Sequence, residues 1–140
     1  MSTTPKSPPR AAIRVKLRWR DVDMLGHVNQ SVYHEYTEEA RTALLASLPG
    51  ADSKGGWVLV HTDLDHRHEI RRDADEVECI AWIDAVGSKS VTFRNEVRLL
   101  DGTLCAEGSS VIVAWDPATR GAREMEPAER AGFLGEPEGA

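Results

Sequence analysis

The fold and the chemistry of this chain turn on one stretch, Arg20-Asp21-Val22-Asp23-Met24-Leu25-Gly26-His27-Val28-Asn29-Gln30-Ser31-Val32-Tyr33. It starts where one hydrophobic period ends and stops where another begins. Upstream, Ile13, Val15, Leu17 and Trp19 alternate with Arg14, Lys16, Arg18 and Arg20, the period of a half-buried strand with a basic outer face. Downstream, Val32, Tyr36, Ala40, Leu44 and Leu48 recur every four residues, with Tyr33 and Ala43 beside them, which predicts an amphipathic helix. Glu35, Glu38, Glu39 and Arg41 fall on its other side. Asn29 or Ser31 suits the N-cap and Pro49-Gly50 ends the element, for a length of about 17–19 residues.

Beyond the helix, Ala51 to Gly56 reads as a loop and the rest is strand-like, near 57–70, 76–86, 89–100 and 103–115. Breaks fall at Arg71–Asp75, Gly87-Ser88 and Asp101-Gly102. The last suits a hairpin, where glycine supplies the positive φ of a tight turn. A two-residue loop there sets Glu96 opposite Glu107, an unfavourable like-charge pair, so either the pair splays or a bulge intervenes. Pro127 fits the first turn of a short C-terminal helix. Residues 1–12, rich in Pro, Ser and Thr, read as a disordered leader; 13–134 form one domain and 135–140 a frayed tail.

One strand, one long helix and four strands in succession predict an α+β architecture, an antiparallel sheet with one face covered by the helix. Strand 76–86 is apolar on both faces, with Val77, Cys79, Ala81 and Ile83 alternating with Ile80, Trp82 and Val86. Its outer face therefore calls for a second copy of the chain, a homodimer or homotetramer.

Bulk properties exclude several function classes. The 140 residues carry 17 Lys+Arg against 23 Asp+Glu, a net charge of −6, which argues against a nucleic-acid partner. No apolar run approaches the ~20 residues of a membrane span, and MSTTPKSPPR lacks the apolar segment of a secretory signal, so a cytoplasmic location is expected. Cys79 and Cys105 read as small buried hydrophobes of a reducing compartment. His61, Asp63 and Asp65 share one strand face and His66 and His68 the other. Rows of this kind are commonly solvated, and no metal is expected.

The residues Asp21-x-Asp23-x-x-Gly26-His27-Val28-Asn29, then Tyr33, Glu39 and Arg41, resemble the hotdog-fold acyl-CoA thioesterases of the 4-hydroxybenzoyl-CoA thioesterase-like family. Their motif runs D-x-D-x-x-G-H-V-N-N-x-x-Y before a Glu/Ala/Arg-rich helix turn. The match runs more weakly from Ile13 to about Trp115. Three departures stand out. Gln30 replaces the second Asn, Ala74-Asp75 replaces Gly-Asp, and His66-Arg67-His68 replaces an aromatic residue and Pro at the acyl end of the pocket.

The resemblance implies a hotdog fold and metal-independent hydrolysis of an acyl-CoA, with no cofactor beyond the coenzyme A of the substrate. Asp23 matches the catalytic carboxylate, nucleophile or general base, and the backbone around Gln30 the donor that polarises the thioester carbonyl. His27 and Asn29 support them. Asp21 reads as scaffolding that bonds loop amides. Gly26, Val28, Tyr33 and Tyr36 would line the substrate pocket, and Ser88, Lys89 and Ser90 would meet the coenzyme A moiety. The chemistry is consistent with this: thioester hydrolysis needs a carboxylate and donors aimed at the oxyanion, and a helix N-terminus supplies the donors. The alternatives are a non-catalytic acyl-binding hotdog protein and a thioesterase acting on acyl-carrier protein. A hydratase-type hotdog enzyme is weaker, for want of the His/Asp pair such enzymes use.

Overall fold

Both hydrophobic periods flanking the Arg20–Tyr33 stretch produce the expected elements. The computed structural model describes residues 2–49 and 56–136. They form β1 (Arg10–Lys16), α1 (Val32–Ser47), β2 (Gly56–His66), β3 (Glu76–Val86), β4 (Ser90–Leu99), β5 (Leu104–Asp116), β6 (Gly121–Ala122) and α2 (Pro127–Leu134). The main sheet is antiparallel in the order β1-β3-β4-β5-β2, with β6 added to β5. It curls against α1 in the α+β hotdog arrangement. No helix among the described residues is long and apolar enough to cross a membrane.

Helix α1 buries Val32, Tyr33, Tyr36, Ala40 and Leu44 against the sheet. Facing them are Val77, Cys79, Ala81 and Ile83 of β3, Val91, Phe93 and Val97 of β4, and Ala106, Ile112 and Ala114 of β5. Arg41, expected on the polar side, lies on the buried side instead, where its Nη1 donates to the Ser110 hydroxyl at 3.3 Å. A four-residue spacing alone drew the apolar stripe too narrow, since the buried face also takes Thr37 and Arg41. Burial lowers the Arg41 pKa, and Glu38 opposes that shift.

The β4–β5 hairpin keeps the like-charge pair and carries the irregularity foreseen for it. Glu96 does stand opposite Glu107, and the register shifts between Val97 and Arg98. The repulsion is relieved because each acid has its own cation. Arg98 bonds Glu96 at 3.0 Å and Arg67 bonds Glu107 at 3.3 Å. Gly102 takes the positive φ of +96° that the turn requires.

Three expectations shift. The stretch read as a leader carries the start of β1 at Arg10, and Thr3 pairs with Val86, exchanging backbone bonds of 2.8 Å in each direction. Polar composition hid this because the anchors are backbone groups. Strand β2 stops at His66 rather than near residue 70, where the Arg67 and His68 N–H groups both turn to the Cys105 carbonyl. The outer face of β3 also needs no second copy to cover Ile80. It is only 3% exposed, between Ala12 of β1 and Glu96 of β4. The loop expected at Ala51 to Gly56 and the tail expected over 135–140 lie largely outside the described residues.

Candidate functional site

The motif folds from its root outward. Trp19–Asp21 form a 3-10 turn that drops the Asp21 carboxylate into the core with no exposed surface. There it accepts the Arg18 backbone N–H at 3.0 Å, the Arg18 guanidinium at 3.0 Å and the Tyr36 hydroxyl at 2.8 Å. Burial, then the bond to Asp21, pushes the Tyr36 phenol up. Asp21 is scaffolding, as its role in bonding loop amides suggested.

From Val22 the chain makes a small hairpin. Val22 pairs with Val28, Asp23 N–H donates to the His27 carbonyl at 3.0 Å, and Gly26 N–H donates to the Asp23 carbonyl at 3.1 Å. Gly26 closes the turn at φ +86°, a value that L side chains rarely adopt. His27 pairs in turn with Arg71, and Val28 N–H donates to the Ile70 carbonyl at 2.7 Å. The loop is thus stitched to the chain between β2 and β3. The Asp23 carboxylate is half-buried at the hairpin, with Oδ1 accepting the Leu25 N–H at 2.9 Å and Oδ2 uncommitted among the described residues.

The same hairpin leads directly into the start of α1. Asn29 Oδ1 accepts both the N–H and the hydroxyl of Ser31 at 3.0 Å, an Asx turn that leads into the helix, and Ser31 holds the cap position without a side-chain cap bond. Val32 N–H bonds the Asn29 carbonyl and Tyr33 N–H the Gln30 carbonyl. The Gln30 N–H donates to no group among the described residues.

A cleft of about 360 Å³ opens here. One wall is His27, Val28, Gln30 and Tyr33; the other is His66 to Glu69, just past β2. Tyr33 meets the His66 ring edge-on with centroids 4.6 Å apart, and burial pushes its phenol up to about 12. In the sequence, His66 to His68 stand out as a departure from the family pattern and His66 and His68 as one face of a strand.

Not every expected residue gathers at this cleft. Asp23 faces His27 across the hairpin rather than lining the cleft itself. Tyr36 is corrected to a core residue, since its hydroxyl is spent on Asp21. Ser88, Lys89 and Ser90 sit at the β3–β4 turn, the far end of β3. At 3.3 Å per residue that is about 30 Å along the strand from the cleft end. On the outer side of α1, Glu35 is paired with Arg18 at 3.1 Å, and Glu38 and Glu39 are exposed. His61 and Asp63 bond each other at 2.8 Å, and Ser109 bonds Asp63 at 2.6 Å. That hydroxyl, then His61, holds the Asp63 pKa below its usual value.

The family model of the thioesterase-like superfamily matches residues 17–133. The chain belongs to that superfamily. Its enzyme class is accordingly thioester hydrolase. The match takes in the motif, α1 and all strands from β2 onward, so the hairpin site lies inside the superfamily's own frame. Among solved structures, a predicted thioesterase from Bacillus stearothermophilus superposes with a TM-score of 0.81 at 20% identity, covering 91% of this chain and 98% of its own. A thioesterase-superfamily structure from Jannaschia sp. gives 0.81 at 22%, with 97% of both chains covered. A thioesterase from Thermus thermophilus, complexed with coenzyme A and Zn, gives 0.74 at 25%, covering 88% and 96%. No curated protein matches the sequence.

Proposed function

We propose that this thioesterase-superfamily chain hydrolyses an acyl-CoA. Water supplies hydroxyl to the acyl carbon and a proton to the departing sulfur, giving a free acid and coenzyme A. Asp23 serves as nucleophile or as general base, through its uncommitted Oδ2. The Gln30 N–H and the N-terminal dipole of α1 stabilise the oxyanion. His27 forms the cleft wall between them. The observation that carries the reading is the hairpin bond between Asp23 and His27. It fixes the backbone that carries the Asp23 carboxylate in the hairpin leading into α1, where the Gln30 amide has no partner among the described residues. Coenzyme A as carrier is supported by its presence in the Thermus thermophilus thioesterase.

The route needs no metal. A carboxylate and backbone donors supply the base and the oxyanion stabilisation it requires. Activity is expected to survive exhaustive treatment with a chelator, and its loss with restoration by zinc would refute this part.

The working unit is a homodimer joined along β2. This eleven-residue strand ends the sheet order, so one of its backbone edges has no neighbour among the described residues. Val58, Leu59 and Val60 stand exposed on it. A long apolar edge of this kind is the usual template for pairing with another strand.

A thiol-release assay over short, long and aromatic acyl-CoAs tests the activity. Turnover of at least one class is expected. Binding of acyl-CoA without release of free thiol would make the chain an acyl-binding protein instead.

A further inference from the structure

Of the four tryptophans, Trp57, Trp82 and Trp115 are partly buried, while Trp19 is 83% exposed. An indole normally buries a large apolar area. Here the Arg72 guanidinium lies over the ring, 4.2 Å from its centroid. With the ring so open to solvent, its other face is free to take a planar group.

The charges around it are unusual for a chain of net charge −6. Arg18, next to Trp19, is consumed by Asp21 and Glu35. Arg20, Arg71 and Arg72 are exposed and form no ion pair among the described residues. Asp73, exposed in the same short turn as Arg72, is the nearest acid in sequence. Unpaired arginine beside an open aromatic face suits a ligand that is a flat base and a phosphate at once. The base stacks on the ring and the guanidinium forks bind phosphate oxygens.

The position is also informative. Trp19 begins the turn that ends in Asp21, from which the catalytic hairpin springs. Arg71 pairs with His27, a wall of the cleft. The platform is therefore joined through the backbone to the hairpin and to one wall of the cleft.

We infer that Trp19, with Arg72, Arg71 and Arg20, binds the adenine nucleotide of a coenzyme A thioester. This rests on the acyl-CoA reading above and goes further, because it selects the carrier. Coenzyme A ends in a phosphorylated adenine nucleotide, whereas the same arm on a carrier protein has none. It also moves the nucleotide contact away from Ser88, Lys89 and Ser90.

The test compares Trp19→Ala and Arg72→Gln with the unaltered protein on an acyl-CoA and on the matching acyl-pantetheine. Each variant is expected to raise KM for the acyl-CoA about tenfold, in line with loss of one base stack. Turnover number and the acyl-pantetheine constants stay unchanged, as does Tm, because Trp19 packs on little. Titration with adenosine 3′,5′-bisphosphate gives a readout independent of activity, and Trp19→Ala is expected to weaken its binding by a similar factor. An unchanged KM, equal losses on both substrates, or a KM effect found at Lys89→Ala instead would overturn the assignment. If the unaltered protein hydrolyses neither substrate, the functional reading falls. The titration then decides the platform alone, with equal binding by both proteins counting against it.

Discussion

The loop between β1 and α1 has a root and a tip, each with an aspartate, and the two aspartates live in opposite conditions. At the root, Asp21 is fully buried and accepts three hydrogen bonds, from Arg18 twice and from Tyr36. At the tip, Asp23 is half-buried and accepts one, from Leu25. Met24 and Leu25 beside it are almost wholly in solvent. A carboxylate whose acceptor sites are filled from within the fold is a strut. One left with an open oxygen in the hairpin that leads to the helix is available for chemistry. Two residues of sequence separate these fates: Asp21 closes the 3-10 turn and is buried in the core, whereas Asp23 lies beyond the turn in the hairpin.

The strongest way to break this contrast is Asp21→Asn. It leaves Arg18 and the Tyr36 hydroxyl facing an amide in a buried site, and we expect a loss of about 2–4 kcal/mol, read from denaturant unfolding. A loss below about 0.5 kcal/mol, the level of an ordinary surface change, would show that the root carries no more than the tip.

High pH sharpens the same contrast. The Tyr36 phenol is held above its usual 10.0 first by burial and then by Asp21. In the unfolded chain it ionises at its ordinary value, so the folded state binds more protons once the pH passes 10. The stabilisation is complete below pH 10 and declines as the pH climbs further. Stability should therefore fall above pH 10, with a slope that Tyr36→Phe flattens. An unchanged slope in that variant would remove Tyr36 as its source.

The smallest expected effect concerns association. Val60→Lys places a charge on the open edge of β2 and should weaken the proposed homodimer about tenfold by sedimentation, since edge lysines blunt strand pairing in natural sheets. Tm of the folded chain should hardly move, because Val60 is already exposed. Dimers of undiminished strength would place the contact elsewhere.

Much of this was legible in the sequence, for local reasons. The alternation through Ile13 and Val15 and the glycine of Asp101-Gly102 act over a few residues, and β1 and the β4–β5 hairpin followed. The long helix was readable from its periodicity, and the buried, hydrogen-bonded place of Asp21 from the motif. The misses came where distant segments meet. Arg41 is buried because Ser110, sixty-nine residues away, offers it a hydroxyl. Tyr36 left the expected pocket because Asp21 claims its hydroxyl. Ser88 to Ser90 are remote from the cleft because β3 runs eleven residues, a separation that a motif list does not carry. Thr3 is tied to Val86 by backbone groups that every residue type shares.

The central claim is that Asp23 does chemistry while Asp21 holds the loop. Thiol release by Asp23→Asn, on whichever acyl-CoA the unaltered protein prefers, tests it most directly. We expect kcat to fall about a hundredfold or more, the scale of losing a general base or nucleophile. Tm should stay within the range of an ordinary surface substitution. Near-full activity in a folded Asp23→Asn variant would contradict the account.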